Sequence, residues 1–491
     1  MSDLVQCALA LVVAGFLVIA LGAPAAPLRA LRWATRLAAV SALGALLATV
    51  ALPSDAFTYT ALVLLTLGAT LAFAALAFSV RHMRGDSRLG AYARNVVLLV
   101  AATLLGAGTD NMLIFAAAWL LASRVVVELL AHTATPDQAA SAAGRARASF
   151  RVGDTALVLA VGLVVLFSGQ ARFDDLAAHV GPGADLDAVL LLAAFALVVA
   201  VVVRSAGLPA HRWLLASTAA PTPVCALLHA GFVNAGGIAA IKFAPLLATT
   251  PLVLFVLLAS GAAAVVGGTA IALVRADVKG RLAGSTVAQM GYMLVQCGLG
   301  ANAHALFHIL AHGAFKAQAF LRAGSEVSAP GAGTLAAPVR GAQWLLLLPC
   351  AVFFVAAWTS RLPLADLVLL SFGLTLVLEA LMLTWRRTCL RTAALRTLAV
   401  LLPAALAAGA VHLALAGAID TAALVQQAPS THLVGAMIGA LSLLAFVRAT
   451  RVELPRAMHA MLVHLARAEP PGRASPGDTL VTALRAARRA T

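Results

Sequence analysis

Long apolar windows recur along the whole chain, separated by short polar stretches rich in arginine. Most windows have about 20 residues, the length at which a helix crosses about 30 Å of hydrocarbon. Lipid offers no partner to backbone polar groups, so each window predicts a transmembrane helix. We therefore predict an all-α polytopic membrane protein with about 13–15 transmembrane helices. The windows cover residues 4–22, 37–53, 57–80, 92–108, 111–131, 153–169, 187–204, 219–246, 251–274, 284–301, 303–322, 342–359, 364–385, 397–417 and 431–447.

The composition supports this class and excludes a soluble one. Hydrophobic residues make up 62% of the chain and charged residues 11%, whereas soluble domains carry about a quarter charged residues. The net charge of +15 would suggest nucleic acid in a soluble protein. Here the cations lie between apolar windows, so we expect the lipid bilayer as partner and no nucleic acid.

The cations also predict an orientation. If the windows alternate in direction, most Lys and Arg residues fall on one side, and the opposite loops hold Arg172 and Arg361. Positively charged loops stay in the cytoplasm. We therefore expect a multi-pass protein of the cell inner membrane, with its N-terminus outside and its C-terminus, the polar stretch 451–491, in the cytoplasm.

Cofactor chemistry finds no support in the sequence. The five Cys residues are scattered without CxxC spacing, which supports neither a disulfide framework nor a zinc site. No phosphate loop, HExxH or GxSxG motif occurs. We therefore expect no cofactor.

Three basic residues lie inside one predicted span. His308, His312 and Lys316 follow each other at i, i+4 and i+8, which places them on one helix face about 6 Å apart per step. An ionisable group in a membrane costs about 2.5–3.5 kcal/mol on insertion scales and marks an ion path by default. Each of the three can be neutral or charged, so a proton could pass along them; hydrogen bonds between helices are the alternative.

A second cluster lies at residues 209–237. Pro209, Pro221, Pro223 and a Gly-Gly pair interrupt the helix. Broken helix at membrane depth occurs only where it is buried in protein or lines a cavity. His229 and Asn234 follow this break, and we predict that they belong to the path; a buried, hydrogen-bonded histidine is the alternative.

Other intramembrane polar residues are more ambiguous. Arg204 ends an apolar span, and because guanidinium does not deprotonate it either holds a fixed charge or snorkels to the cytoplasm. Glu379 lies in mid-span and is expected to pair or to line the path. Lys242, near the outer end of its span, is expected to snorkel, and Gln289 could hold water beside the histidines.

The motifs form a recognisable set in order and spacing. They are Leu208-Pro209, His211-Arg212-Trp213-Leu214, Pro221-Thr222-Pro223-Val224, Leu228-His229-Ala230, Asp277-Val278-Lys279, Ser285-Thr286, Gln289-Met290-Gly291-Tyr292-Met293, Phe307-His308, His312, Phe315-Lys316, Phe320-Leu321 and Gly324-Ser325. The set resembles the proton-conducting membrane family shared by the large antiporter-like subunits of respiratory complex I and the Mrp sodium/proton antiporters.

The resemblance implies inverted repeats with broken helices, conduction through Lys316 and the histidine row, and His229 lining the broken helix. The implied organisation is N-terminal transmembrane helices at 1–90, five-helix repeats at 91–246 and 247–386, C-terminal transmembrane helices at 387–450 and a cytoplasmic tail at 451–491.

Within the family, the stretches 211–217 and 229–237 are most similar to the cation-conducting subunit of two-subunit inorganic carbon pumps. That resemblance implies H⁺ or Na⁺ flow, CO₂/bicarbonate uptake, and a zinc-containing partner that resembles a carbonic anhydrase. The alternatives are a proton-pumping membrane subunit of NADH-quinone oxidoreductase and an Mrp-type antiporter subunit.

One departure from the family concerns the first repeat. The family's fifth helix usually carries Trp-Glu, whose Glu pairs with a Lys on the seventh. Here the pair is Trp119-Leu120, and the seventh helix ends in Arg204. We therefore expect the first half-channel to be altered or lost.

Overall fold

The computed structural model describes residues 2–52, 55–132, 136–180, 188–248, 250–326 and 466, and within them the chain forms helices and no strand. In chain order the helices are α1 Ser2–Gly22, α2 Pro27–Ala51, α3 Ala56–His82, α4 Leu89–Gly108, α5 Met112–Leu130, α6 Pro136–Ser168, α7 Phe173–His179, α8 Ala188–Arg204, α9 Arg212–Ala216, α10 Thr222–Ala230, α11 Ala235–Lys242, α12 Ala244–Leu247, α13 Pro251–Val274, α14 Val278–Gly298 and α15 Asn302–Glu326.

Eight stretches of the described residues are long and apolar enough to cross a membrane: α1 to α6, α13, and the stretch Thr222–Lys242 that contains α10 and α11. Helix α8 is apolar but shorter. Helices α14 and α15 fill the predicted windows 284–301 and 303–322, but they carry the polar residues of the candidate path. The prediction of an all-α polytopic membrane protein is confirmed. The windows from 342 onward, with Glu379 and all of the tail except Ala466, lie outside the described residues.

The predicted break in the window 219–246 is present in the structure. Pro221 and Pro223 stand at the start of α10, which begins after a 3₁₀ turn at Ser217–Ala219. A second 3₁₀ turn, Phe232–Asn234, separates α10 from α11. The peptide between them stays buried, as required of irregular backbone at membrane depth.

Side-chain caps fix the starts of three helices that surround the site. Asp55 accepts from the Thr58 amide at the start of α3, and Asn111 accepts from the first amides of α5. Asp277 accepts from the Gly280 amide at the start of α14. Each cap satisfies amides that the first helical turn leaves without intrahelical partners.

Helices α13 and α14 approach each other through glycines. A Cβ atom on Gly291 would lie 2.6 Å from the main-chain nitrogen of Val265, and one on Gly261 would lie 2.6 Å from the carbonyl oxygen of Gly291. Small residues let membrane helices pack backbone against backbone. This contact fixes the position of α14, which supplies the polar groups described next.

Candidate ion-translocation site

The basic row lies on α15, as its spacing predicts. The rings of His308 and His312 are 5.9 Å apart between centroids, and Lys316 follows one turn later. His312 and Lys316 are buried, at 4% and 0% exposure. Tyr292 of α14 lies beside His308, with ring centroids 5.4 Å apart. The row therefore runs through the interior of the described helices.

Helix α14 presents a matching row of polar groups at helical spacing. Lys316 Nζ donates to Ser285 Oγ at 2.9 Å and to the carbonyl oxygen of Leu282 at 3.2 Å. Thr286 and Gln289 continue this face toward α10 and His312. Within the described part of the chain no carboxylate pairs with Lys316. Its amine is held by neutral oxygens, which accept a hydrogen bond from either charge state.

His229 of α10 joins the site from the side. Its Nε2 lies 3.1 Å from Ser217 Oγ and its Nδ1 lies 3.2 Å from Thr286 Oγ1. Its ring stacks on Phe320 of α15 at 4.2 Å. Each hydroxyl also lies within hydrogen-bond distance of a main-chain oxygen, that of Leu214 for Ser217 and that of Leu282 for Thr286, so it can turn its proton to that oxygen or to the ring.

The break after α10 connects His229 to the row on α15. Because the helix ends at Ala230, its last carbonyls lack intrahelical partners. The carbonyl oxygen of His229 lies 2.9 Å from His312 Nε2, and that of Ala230 accepts from Asn234 Nδ2 at 2.7 Å. Asn234 and His312 thus each contact one of the main-chain oxygens that the end of α10 leaves without a helical partner.

Arg204 does not snorkel to the cytoplasm, so that interpretation is wrong. It is 1% exposed, and its Nη2 lies 2.7 Å from Ser123 Oγ and 3.3 Å from Asp154 Oδ1. Its guanidinium also stacks over the rings of Trp119 and Phe232, at 3.8 and 4.2 Å. It is a fixed, buried charge.

Asp154 is a site residue that the sequence reasoning missed. It lies on α6, and its Oδ1 accepts from Trp119 Nε1 at 2.9 Å and from Ser123 Oγ at 2.8 Å, besides pairing with Arg204. The available signal was a carboxylate inside a predicted span, at residues 153–169. Sequence alone gave it no partner, because Arg204 follows fifty residues later.

Two cavities border the second 3₁₀ turn. One of about 50 Å³ is lined by Asn234, the other of about 40 Å³ by Trp119 and Arg204, and Gly231 borders both. Each exceeds the roughly 10–15 Å³ that one water needs. Among the described residues, Asn234 Oδ1 and Arg204 Nη1 are buried without a hydrogen-bond partner. Both atoms belong to residues that line these cavities.

Lys242 is also buried, at 6% exposure, which makes the expectation of snorkelling wrong. Its Nζ donates to the carbonyl oxygen of Thr109 at 2.7 Å and lies 4.5 and 5.1 Å from the ring centroids of Phe57 and Phe173. Cation–π contacts of this kind gain strength away from water.

A cluster of charged loop residues surrounds Arg172. Its Nη2 lies 2.8 Å from Asp110 Oδ2 and 3.6 Å from Asp174 Oδ2. Burial and the neighbouring carboxylates of Asp55 and Asp110 raise the pKa of Asp174, whereas Arg172 lowers it. The balance favours a protonated Asp174 more than in free solution.

The fold and the site together define a polytopic membrane protein with a buried row of ionisable groups beside a broken helix. Residues 86–399 match the family described as NADH:quinone oxidoreductase/Mrp antiporter, transmembrane. The chain belongs to this family.

Curated relatives match the chain over part of their length. The probable inorganic carbon transporter subunit DabB of Hydrogenovibrio crunogenus is 36% identical over 267 residues, 54% of this chain and 52% of the relative. The Bacillus subtilis protein of the same description is 36% identical over 259 residues, 51% and 49% of the two chains. The chloroplastic NAD(P)H-quinone oxidoreductase subunit 5 of Oryza sativa is 35% identical over 214 residues, 43% and 29%. The chain thus spans about half or less of these relatives.

Solved structures share the fold. The Mrp complex from Dietzia sp. DQ12-45-1b matches with a TM-score of 0.59 and 20% identity, over 94% of this chain and 55% of that chain. The archaeal membrane-bound sulfane sulfur reductase matches with a TM-score of 0.64 and 16% identity, over 86% and 100%.

Proposed function

We propose that this chain is the proton-conducting membrane subunit of an energy-coupled inorganic carbon (CO₂/bicarbonate) uptake pump. The observation that supports conduction is the buried line of His229, His312 and Lys316, whose partners are groups that tolerate a change of charge. The several relatives described as DabB support the carbon pump.

Proton transfer suits this geometry better than transport of bare Na⁺. Imidazole and amine groups bind a proton through a nitrogen lone pair, whereas hard cations such as Ca²⁺ and Mg²⁺ take oxygen ligands, largely carboxylates and carbonyls. The described part of the row has nitrogen groups and no carboxylate. We propose that a proton passes between Lys316, His312 and His308 along α15, with His229 joining at the break. H⁺ is therefore the proposed coupling ion and Na⁺ the alternative.

The ion pair of Asp154 with Arg204 is the proposed remnant of the first half-channel. Arg204 cannot release a proton, so Asp154 is the member that can change charge. The pair keeps an acid and a base together where the family's Trp-Glu is replaced by Trp119-Leu120. Of the two expectations for the first half-channel, altered or lost, we thus propose the first.

The proposed partner is DabA, a zinc-containing subunit that resembles a carbonic anhydrase. Hydration of CO₂ alone cannot accumulate bicarbonate against a gradient, so the hydration step must be coupled to an energy source. Cation flow down its gradient through this chain would supply that energy, and the chemistry would belong to the partner. This chain would then be a transport subunit and not itself an enzyme.

The proposed setting is the cell inner membrane, with the N-terminus outside and the C-terminus in the cytoplasm. The proposed five-helix repeats at 91–246 and 247–386 each contribute part of the path. Glu379, outside the described residues, is the proposed continuation of the path in the second repeat.

Purification of the tagged chain from its native membrane tests the assignment. Recovery of one zinc-containing, carbonic-anhydrase-like subunit supports the carbon pump, and growth of the deletion strain should then require high CO₂. Flavin or iron–sulfur proteins would point to a quinone oxidoreductase, as the similarity to the Oryza sativa subunit allows. Several further membrane subunits, with a phenotype in salt, would point to an Mrp-type antiporter.

A further inference from the structure

Both ring nitrogens of His312 lie next to oxygen atoms. Nε2 is 2.9 Å from the main-chain oxygen of His229, and Nδ1 is 2.9 Å from Oε1 of Gln289. A neutral imidazole has one donor and one acceptor, and an imidazolium has two donors. With oxygen on both sides, the arrangement satisfies the charged ring.

The two acceptors differ in one important respect. The carbonyl of His229 cannot rotate, because it belongs to the last turn of α10. It also carries part of the negative charge at the helix C-terminus. Nε2 of His312 therefore keeps its proton in both charge states, and the proton that exchanges is the one on Nδ1.

Gln289 can adapt to that exchange. Its amide accepts through the oxygen when Nδ1 is protonated, and a half-turn about its last side-chain bond presents the NH₂ group to Nδ1 when the ring is neutral. The hydrogen bond is thus kept in both states. A carboxylic or apolar side chain would favour one state over the other.

The ionisable groups near His312 oppose a positive charge on its ring. They are Lys316 and His308 on α15 and His229 on α10. All three are basic, so each of them disfavours a positive charge on His312. The oxygens of Gln289 and of the His229 main chain are the contacts that favour it.

We propose that Gln289 is a positioning residue that follows the charge state of His312 by rotating its amide, while the His229 carbonyl holds the proton on Nε2 and so leaves Nδ1 as the exchanging nitrogen. This inference rests on the proposed conduction through His312. It assigns the glutamine a role in the proton path itself, beyond holding water near the row.

Two variants of Gln289 shift the balance in opposite directions. Gln289→Glu supplies an anionic acceptor that holds the proton, so the midpoint of the pH profile of proton flux should move by about one unit to higher pH, a tenfold change in proton affinity. Gln289→Met keeps the length but replaces the amide oxygen with a thioether, which is only a weak acceptor, so the midpoint should move to lower pH. Flux is measured in proteoliposomes containing the full chain with its partner.

The same vesicles separate this inference from the proposed function. Lys316→Ala should abolish the flux; if it does not, conduction through the row is wrong. If Lys316→Ala abolishes flux while both Gln289 variants keep the wild-type midpoint and only lose amplitude, Gln289 is structural and the inference alone is overturned.

A direct measurement covers the case in which a variant does not fold. Nitrogen-15 histidine spectra of the purified wild-type complex, with His312→Asn to assign the signal, report the tautomer. The proposal requires that neutral His312 carry its proton on Nε2. A neutral ring with its proton on Nδ1 would overturn it.

Discussion

Nη2 of Arg204 lies 3.3 Å from Oδ1 of Asp154, inside the described helices and between α8 and α6. Asp154 also accepts hydrogen bonds from Trp119 and Ser123, so the pair is embedded in a network. Buried pairs of this kind stabilise little relative to apolar packing, but the loss of one partner is costly. Removal of one charge is therefore expected to destabilise the protein, whereas removal of both is not. Comparing the two variants tests the structural and the functional role of the pair separately.

Replacement of Asp154 by Asn should destabilise the protein by about 3–5 kcal/mol, because it leaves the guanidinium of Arg204 buried without a counter-charge. We expect a lower yield of folded protein and a lower melting temperature in nanodiscs. The control is the double variant Asp154→Leu with Arg204→Met, which removes both charges and should recover most of the stability. If the recovered double variant also conducts at the wild-type rate, the pair is only structural.

Replacement of Lys316 by Ala should abolish proton flux, because the row loses its amine. The complex should still assemble, but the cells should no longer grow without added CO₂. Lys316→Arg should be inactive too, since guanidinium keeps its proton. Gln318→Ala is the matched control, because residue 318 lies two positions along the same helix and points away from the row. Wild-type uptake by Lys316→Ala would show that the row only holds helices together.

Replacement of Gly291 by Ala should lower the stability by about 1–3 kcal/mol, because the new Cβ would stand 2.6 Å from the Val265 nitrogen and push α14 away from α13. Gly162→Ala on α6 is the matched control, since its Cβ would meet nothing within 4 Å. Melting temperatures in the same detergent compare the two. Equal stability of both variants would mean that the helices can separate at no cost.

Replacement of Asp86 by Asn should reduce stability in a pH-dependent way. Burial raises the pKa of Asp86, but its hydrogen bonds with His132 and the Arg88 amide outweigh this and lower it below its usual value. A lowered carboxyl pKa stabilises the fold above the unfolded value near 4, and the contribution is lost as the pH falls through the folded pKa.

The effect of Asp86→Asn should be at most about 1 kcal/mol, because the carboxylate is partly exposed to solvent. Melting temperatures at pH 7 and pH 3 give the measurement. Asp3→Asn, at an exposed carboxylate of α1, is the control and should change little at either pH. An Asp86→Asn difference as large at pH 3 as at pH 7 would exclude the contact between the Asp86 carboxylate and His132 as its cause.

The sequence determined the membrane class and most of the described helices. Windows of about 20 apolar residues leave few alternatives in lipid, where every backbone polar group needs an internal partner. It also predicted the row on α15, because residues at i, i+4 and i+8 share a face in any regular helix. The prolines at 221 and 223 predicted the break.

Only the tertiary structure decided which polar groups meet. The pair of Asp154 with Arg204 joins two residues that lie fifty positions apart in the sequence, and Gln289 reaches His312 because α14 and α15 pack side by side. Lys242 was expected to snorkel and Arg204 either to snorkel or to hold a fixed charge, but neighbouring helices cover both side chains. Periodicity specifies the face of one helix, whereas the partner across that face depends on how whole helices pack, and no local pattern encodes that.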